Sequence, residues 1–184
     1  WMNEMGFVGM ALGNHEFDKK MSGLGDMLAL SSVPVVASNY DFSSTSLADY
    51  VGNSVILEAG DVKVGFIGLN VRLENLVDPK ACEGVVWQNA INVADDEAKK
   101  LRDQGADMVI ALSHLGYEKN STLNYCDRGI VMNTRHIDMI IGGHSHTFLN
   151  YADYVTNLDG DKVPVVQTGS KGICLGYAKI KISK

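Results

Sequence analysis

The hexapeptide Gly-Asn-His-Glu-Phe-Asp occupies residues 13–18, directly after an apolar run. It places an amide oxygen, an imidazole and a carboxylate in one short loop at the end of a predicted strand. Ser-His-Leu-Gly at residues 113–116 follows a second apolar run, and Gly-Gly-His-Ser-His-Thr at residues 142–147 follows a third. Four of the five histidines therefore lie in loops that end short apolar strands.

The bulk composition restricts the class of protein. The 184 residues include 46% apolar side chains and carry a net charge of −6, which is ordinary for an α/β domain with a sizeable core. The negative charge argues against a general nucleic-acid-binding surface. No apolar run is long enough to span a bilayer. The three cysteines are widely spaced and form no metal-ligand pair, so we interpret them as small buried residues.

Strands and helices are predicted to alternate along the chain. Apolar spacing indicates helices near residues 20–31, 89–104 and 125–134, the second of them capped by Asn89. Residues 1–6 have the pattern of the last turn of a helix that ends at Gly6. Residues 70–87 have no clear pattern. Strands are predicted at residues 8–12, 34–38, 54–59, 62–69, 108–112, 138–141, 151–156, 163–168 and 173–182.

The three histidine loops are expected to converge on one site. In open α/β sheets, ligands bind beyond the carboxyl ends of the strands. Imidazole together with amide or carboxylate oxygen suits Zn²⁺, Mn²⁺ or Fe²⁺ better than Ca²⁺ or Mg²⁺. The glycines before Asn14 and His144 are expected to make tight turns that direct the next side chain inward. His114 alone would more often be a hydrogen-bonded residue than a ligand, but the joint occurrence of three loops favours a metal site.

Two other interpretations compete for these segments. His15 and Glu16 begin like the helical motif of zinc proteases, but Lys19 stands where the second histidine belongs, and the segment is predicted to be a loop. A purely structural turn at residues 13–18 stays open. His136, on a predicted helix-to-strand connection, is assigned no function.

The three loops, in this order, resemble those of the calcineurin-like metallophosphoesterases, and in particular the catalytic domain of the 5′-nucleotidases. The flanking sequences agree, including Pro-Val-Val-Ala-Ser-Asn at residues 34–39 and the closing segments at residues 167–171 and 175–182. The resemblance covers essentially the whole chain. It implies an α/β protein with a four-layer α/β/β/α sandwich and a dinuclear metal centre, here without its first strands.

The resemblance also implies a role for individual residues. The implied metal ligands are Asn14, His114 and His144 for one divalent ion and His146 for the other, with Zn²⁺ or Mn²⁺ as the ions. His15 and Asp18 are implied to be the catalytic pair. In such a site a metal-bound hydroxide attacks phosphorus in line, while His15, oriented by Asp18, stabilises charge on the phosphoryl group or leaving oxygen.

The sequence departs from the family pattern before residue 13. That pattern begins with an Asp-x-His motif, followed by a Gly-Asp motif whose aspartate bridges the two metals, and neither precedes Asn14. The Gly-Asp pairs of this chain all lie downstream, at residues 25–26, 60–61 and 160–161. We therefore expect residues 1–184 to form a partial catalytic domain, to hold its ions weakly or not at all, and to be a poor catalyst alone.

The function implied by the resemblance is that of a 5′-nucleotidase, which hydrolyses nucleoside monophosphates. Its specificity would come from a C-terminal domain or a separate partner chain. No nucleic-acid partner and no membrane span are expected, and the family suggests the periplasm or the cell surface. Alternatives within the superfamily are a cyclic-nucleotide phosphodiesterase, a UDP-sugar hydrolase or a sulfur-ester hydrolase. An alternative from another class is a non-catalytic binding module.

Overall fold

A computed structural model describes residues 1–117 and 125–182. These described residues form three helices, α1 (Lys20–Ala29), α2 (Ala90–Asp103) and α3 (Asp127–Met132), together with 3-10 turns at His15–Phe17 and Pro79–Ala81. The strands are β1 (Met10–Ala11), β2 (Val35–Val36), β3 (Tyr40–Asp41), β4 (Val51–Gly52), β5 (Ser54–Ala59), β6 (Val62–Asn70), β7 (Val86–Trp87), β8 (Met108–His114), β9 (Met139–Ile141), β10 (Asp153–Thr156) and β11 (Lys162–Val166).

A six-stranded sheet forms the centre of the molecule, in the order β10-β11-β9-β8-β6-β5. Strands β6, β8, β9 and β11 are parallel, whereas β5 and β10 form antiparallel hairpins at the two edges. The strands predicted at residues 54–59 and 62–69 are confirmed and form one of these hairpins. Because the four central strands are parallel, their carboxyl ends lie at one edge of the sheet, where the histidine loops begin.

A smaller parallel sheet, β1-β2-β4, packs against the inner face of the large one. The two backbones touch at Gly68, where an added Cβ would lie 2.1 Å from the carbonyl oxygen of Val36. The backbone N–H of Ser38 also donates to the Gly68 carbonyl at 2.7 Å. A side chain at position 68 would therefore separate the two sheets.

Helices cover the outer face of each sheet. Leu24 and Leu28 of α1 pack with Val35 of the small sheet. On the other side, the apolar stripe of α2, including Ala94 and Leu101, packs against the large sheet. Asn89 caps α2 by accepting hydrogen bonds from the backbone N–H groups of Ile91 and Asn92, as predicted. The layers are thus α/β/β/α, which confirms the predicted fold class.

The strand predicted at residues 173–182 is wrong. Within the described residues no strand follows β11, and Leu175 is 96% exposed. Alternation of apolar and polar residues predicts a strand only where a neighbouring strand supplies hydrogen bonds. Both sides of β11 are already paired, with β9 and β10. Ile182 alone returns to the core, against the cluster around Met108 and Ile110.

Several smaller predictions also need correction. The first strand is shorter than residues 8–12, since Val8 is exposed. Residues 2–6 form turns and no helix, although Gly6 has the positive φ of a helix stop. Only Cys126 among the three cysteines is buried; Cys82 is half-buried and Cys174 exposed. In the described part of the chain, no helix is both long and apolar enough to cross a bilayer.

Candidate active site

Three of the four predicted metal ligands meet at the carboxyl edge of the sheets. Asn14 follows β1, His114 ends β8, and His144 follows β9. The Oδ1 atom of Asn14 lies 3.1 Å from Nε2 of His114, and the rings of His114 and His144 approach edge to face with centroids 5.0 Å apart. Asn14 is buried although it is polar. The loops therefore converge as their positions after parallel strands predict.

The glycines in these loops make room for the ring of His114. A Cβ on Gly13 would lie 2.7 Å from Cε1 of His114, and one on Gly143 would lie 3.2 Å from its Nδ1. Neither glycine has a positive φ angle, whereas His144 (68°) and His146 (55°) do. Glycine is needed here for close packing against an imidazole ring.

The electrostatic surroundings keep the central histidines neutral. Burial, followed by the charges of His144, His15 and His146, lowers the pKa of His114 to about 4. Burial and the charges of His146 and His15 also lower the pKa of His144. Both rings are consequently uncharged at neutral pH, which is the state in which imidazole nitrogen can bind a metal ion.

The predicted catalytic pair lies on the exposed side of the same loop. Nδ1 of His15 is 3.0 Å from Oδ2 of Asp18, and the two side chains are 74% and 62% exposed. His15 begins the 3-10 turn that directly follows Asn14. The imidazole of His15 thus lies near the half-buried rings of His114 and His144 and is open to solvent, where a substrate could reach it.

Two residues of the first loop that had no predicted role hold it in place. Glu16 accepts a 2.6 Å hydrogen bond from the backbone N–H of Gly13, which closes the loop on itself. Phe17 is fully buried and contacts the rings of Tyr40 and Phe42. Burial of a phenylalanine contributes about 1.5–3 kcal/mol, so the loop is anchored to the core beside α1.

Comparison with known proteins agrees with this arrangement. The family model for calcineurin-like phosphoesterases matches residues 5–148. The chain belongs to this family. Bovine 5′-nucleotidase (Bos taurus) is 31% identical over 201 residues, which cover 100% of this chain and 34% of the relative. An apyrase of Tabanus yao is 33% identical over 186 residues, 97% of this chain and 32% of the relative.

Solved structures of similar sequence share the phosphoesterase fold. A 5′-nucleotidase precursor from Thermus thermophilus superimposes with a TM-score of 0.80 at 28% identity, over 90% of this chain and 34% of the other. The NAD nucleotidase of Haemophilus influenzae superimposes with a TM-score of 0.74 at 28% identity, with the same coverage. The chain thus spans about a third of the length of these relatives.

Calcineurin-like phosphoesterases typically bind divalent metal ions, and the donor atoms of this phosphoesterase fit part of such a site. Two atoms that each bind one ion at about 2.1 Å lie about 3.0–3.4 Å apart in octahedral or tetrahedral geometry. The 3.1 Å between Asn14 Oδ1 and His114 Nε2 falls in this range. In the described residues, however, no three His, Cys, Asp or Glu side chains come together as a metal-binding set. Asn14, His114 and His144 thus fit one side of a metal coordination shell, and none of these three ligands is a carboxylate.

His146 is more exposed than the other predicted ligands. Its side chain is exposed, and its influence on His114 and His144 is electrostatic. An exposed ring is compatible with the predicted role of His146 toward a second ion. That role stays a prediction.

Sequence reasoning missed a buried carboxyl group behind the histidine strands. Asp127 is fully buried at the start of α3 and accepts a 2.5 Å hydrogen bond from the Ser113 hydroxyl. A Cβ on Gly142 would lie 2.2 Å from Oδ2 of Asp127. Burial raises the pKa of Asp127 to about 7. The carboxyl group therefore packs between the residues that precede His114 and His144.

Gln167 is a second buried polar residue that was not predicted to belong to the site. It directly follows β11, whose parallel pairing with β9 brings its carboxyl end to the same edge as the histidine loops. The rule that identified the three loops, a polar residue after a parallel strand, would also have identified Gln167. It was overlooked because the predicted strand ran through it, to residue 168.

Proposed function

We propose that this chain carries the metal-binding edge of a 5′-nucleotidase-like phosphohydrolase that acts on nucleoside monophosphates. The observation that supports it most directly is the meeting of Asn14, His114 and His144 at one sheet edge, with the His15–Asp18 pair in the adjacent turn. The relatives named 5′-nucleotidase, from cattle and from Thermus thermophilus, support the substrate class.

The chain's own residues would divide the work as follows. One divalent ion would be bound by neutral donor groups, namely Asn14 Oδ1 and the imidazole rings of His114 and His144. His146 would bind a second ion. Such ions, when bound, supply positive charge that polarises the phosphoester. Since Nδ1 of His15 is engaged by Asp18, its Nε2 is the nitrogen left to donate to a phosphoryl or leaving oxygen.

We infer that residues 1–184 on their own hold metal ions weakly. The described donors at the site are neutral, and a divalent ion held without carboxylate charge is held less tightly. We also infer that substrate specificity comes from a further domain or a partner chain, because the relatives are about three times as long as this chain. The isolated chain is therefore expected to hydrolyse AMP slowly or not at all.

The test measures the hydrolysis rates of three phosphoesters. The protein is expressed from its complete gene and loaded with Zn²⁺ or Mn²⁺. We expect AMP to be hydrolysed faster than a 2′,3′-cyclic nucleotide or a UDP-sugar. His15→Ala should lower kcat on AMP by about 10²–10³, whereas His136→Ala should leave it unchanged. Faster turnover of the cyclic nucleotide or the UDP-sugar would contradict the substrate class. No hydrolysis of any of the three would favour a binding module.

A further inference from the structure

The carboxamide of Gln167 is bonded to the loop that carries two of the predicted metal ligands. Its Oε1 accepts hydrogen bonds from the backbone N–H of Thr147 and from the Ser145 hydroxyl, the latter at 3.1 Å. Its Nε2 donates to the carbonyl of Gly143 at 2.9 Å. Gln167 is only 2% exposed, so these bonds are shielded from water. One side chain thus holds every second residue from position 143 to position 147.

The residues between those contact points have an unusual backbone. His144 and His146 have φ angles of 68° and 55°, in the left-handed region that residues with a Cβ rarely adopt. Such conformations persist only where surrounding contacts hold them. Here the contacts come from Gln167, on either side of each histidine.

Further hydrogen bonds connect the loop to the segment that directly follows His114. The Ser145 hydroxyl accepts a 2.9 Å bond from the backbone N–H of Tyr117 and lies 2.9 Å from the Thr147 hydroxyl. Since the Ser145 hydroxyl donates to Gln167, the Thr147 hydroxyl is the donor in that second contact. The position of His144 relative to His114 therefore depends on a network in which Gln167 supplies the buried acceptor.

We propose that Gln167 is a positioning residue that holds His144 and His146 in their left-handed conformation and so presents both rings to the metal ions. This inference rests on the proposed metal-binding role of the two histidines. Gln167 lies beyond residues 5–148, the part of the chain that the family model matches. The geometry of the site thus depends on a residue outside the segment that contains its predicted ligands.

The chain offers a closely matched control for this proposal. Asn157 is also a buried amide whose oxygen accepts two hydrogen bonds, from the backbone N–H groups of Asp159 and Asp161, and whose Nδ2 donates to the carbonyl of Arg135. It holds the turn between β10 and β11, and none of these bonds reaches the histidine loops. Asn157→Leu likewise removes two accepted hydrogen bonds and one donated hydrogen bond, without touching the site.

The experiment compares Gln167→Met, Gln167→Glu and Asn157→Leu with the unaltered chain by NMR without metal and by Co²⁺ titration. In Gln167→Met we expect loss of the strong intraresidue amide–Hα contacts that mark positive φ at His144 and His146. Co²⁺ affinity should fall at least about tenfold. Gln167→Glu keeps the acceptor oxygen but loses the Nε2–H donor, so we expect a smaller loss of the NMR contacts and of the Co²⁺ affinity than in Gln167→Met. The folded fraction of Asn157→Leu should retain both the amide–Hα contacts and the Co²⁺ affinity of the unaltered chain.

The two measurements separate this proposal from the proposed function. Retention of the positive φ angles in both Gln167 variants would overturn the positioning role, whatever the metal affinity. If Gln167→Met does not fold, the NMR spectrum of Gln167→Glu decides the question. Unchanged amide–Hα contacts at His144 and His146 in that variant would overturn the positioning role. Absence of Co²⁺ binding by the protein expressed from its complete gene would contradict the metal role of the histidines, while the loss of the left-handed signals in the Gln167 variants would still support the positioning role.

Discussion

The Oδ1 atom of Asn14 and Nε2 of His114 lie 3.1 Å apart, although one hundred residues separate them in the sequence. The pair joins the first loop of the small sheet to the central strand of the large one. The separation is that of two atoms bound to one metal ion. The contact therefore ties the packing of the two sheets to the chemistry of the site.

Opposite substitutions at Asn14 should change metal affinity in opposite directions. Asn14→Leu removes the oxygen donor and should lower Co²⁺ affinity about tenfold or more. Asn14→Asp adds negative charge next to neutral histidines and should raise it, since carboxylate attracts a divalent ion more strongly than an amide does. Isothermal titration of the metal-free variants measures both. Equal affinities in the two variants would show that Asn14 is not a ligand.

Gly13→Ala should destabilise the protein, because the new Cβ would lie 2.7 Å from the ring of His114. Overpacking of this kind typically costs about 1–3 kcal/mol. Gly9→Ala is the matched control, since a Cβ there meets nothing within 4 Å and its effect should stay within about 0.5 kcal/mol. Chemical denaturation of both variants gives the two free energies of unfolding. A Gly13→Ala variant as stable as Gly9→Ala would contradict the described packing.

The stability of the protein should depend on pH through Asp127. Its pKa is raised from 3.8 to about 7 in the folded state, so between these values the folded protein binds more protons than the unfolded one. The contribution of Asp127 to the free energy of unfolding is therefore fully present below about pH 4 and is lost as pH rises to about 7, by at most about 1.4 kcal/mol for each pH unit. Asp127→Asn removes this dependence.

Denaturant unfolding of the two proteins from about pH 4 to about pH 8 isolates that contribution, because every other titrating group is common to both. The unaltered chain should lose stability relative to Asp127→Asn as pH rises through this range. A constant difference between the two curves would show that the buried carboxyl group does not titrate there.

Asp18→Asn should lower turnover without a comparable effect on metal binding. The amide keeps the size of the side chain but loses the negative charge that faces Nδ1 of His15. In the protein expressed from its complete gene, we expect kcat on AMP to fall by at least about tenfold, within the range typical for loss of a supporting group in acid–base catalysis. Asp26→Asn, an exposed carboxylate on α1, is the control and should retain full activity. A normal kcat for Asp18→Asn would remove Asp18 from the catalytic pair.

Sequence patterns correctly predict those elements that are determined by residues within one segment of the chain. Helix α2 has its cap at Asn89 and its apolar stripe within one segment, and it forms as predicted. The convergence of Asn14, His114 and His144 also followed from the sequence, because parallel strands bring their carboxyl ends to one edge. Residues 173–182 were mispredicted, since pairing partners are a property of the whole fold.

The supporting residues of the site were not predictable in the same way. Asp127 lies in the first turn of a helix. From the sequence, a carboxylate at this position is expected to be exposed and to interact favourably with the helix dipole. Only the packing of Ser113 and Gly142 around it makes it buried. The position of Gln167 after a parallel strand indicates that it lies at the site, but no local pattern predicts its hydrogen bonds to a loop twenty residues earlier.

Anomalous X-ray scattering from crystals of this chain soaked in Mn²⁺ would locate the metal ion independently of any activity. We predict a peak about 2.1–2.3 Å from both Asn14 Oδ1 and His114 Nε2, with His144 as the next nearest donor. Mn²⁺ bound only elsewhere, or no peak within bonding distance of this pair at saturating concentration, would contradict the assignment of this edge of the sheets as the metal site.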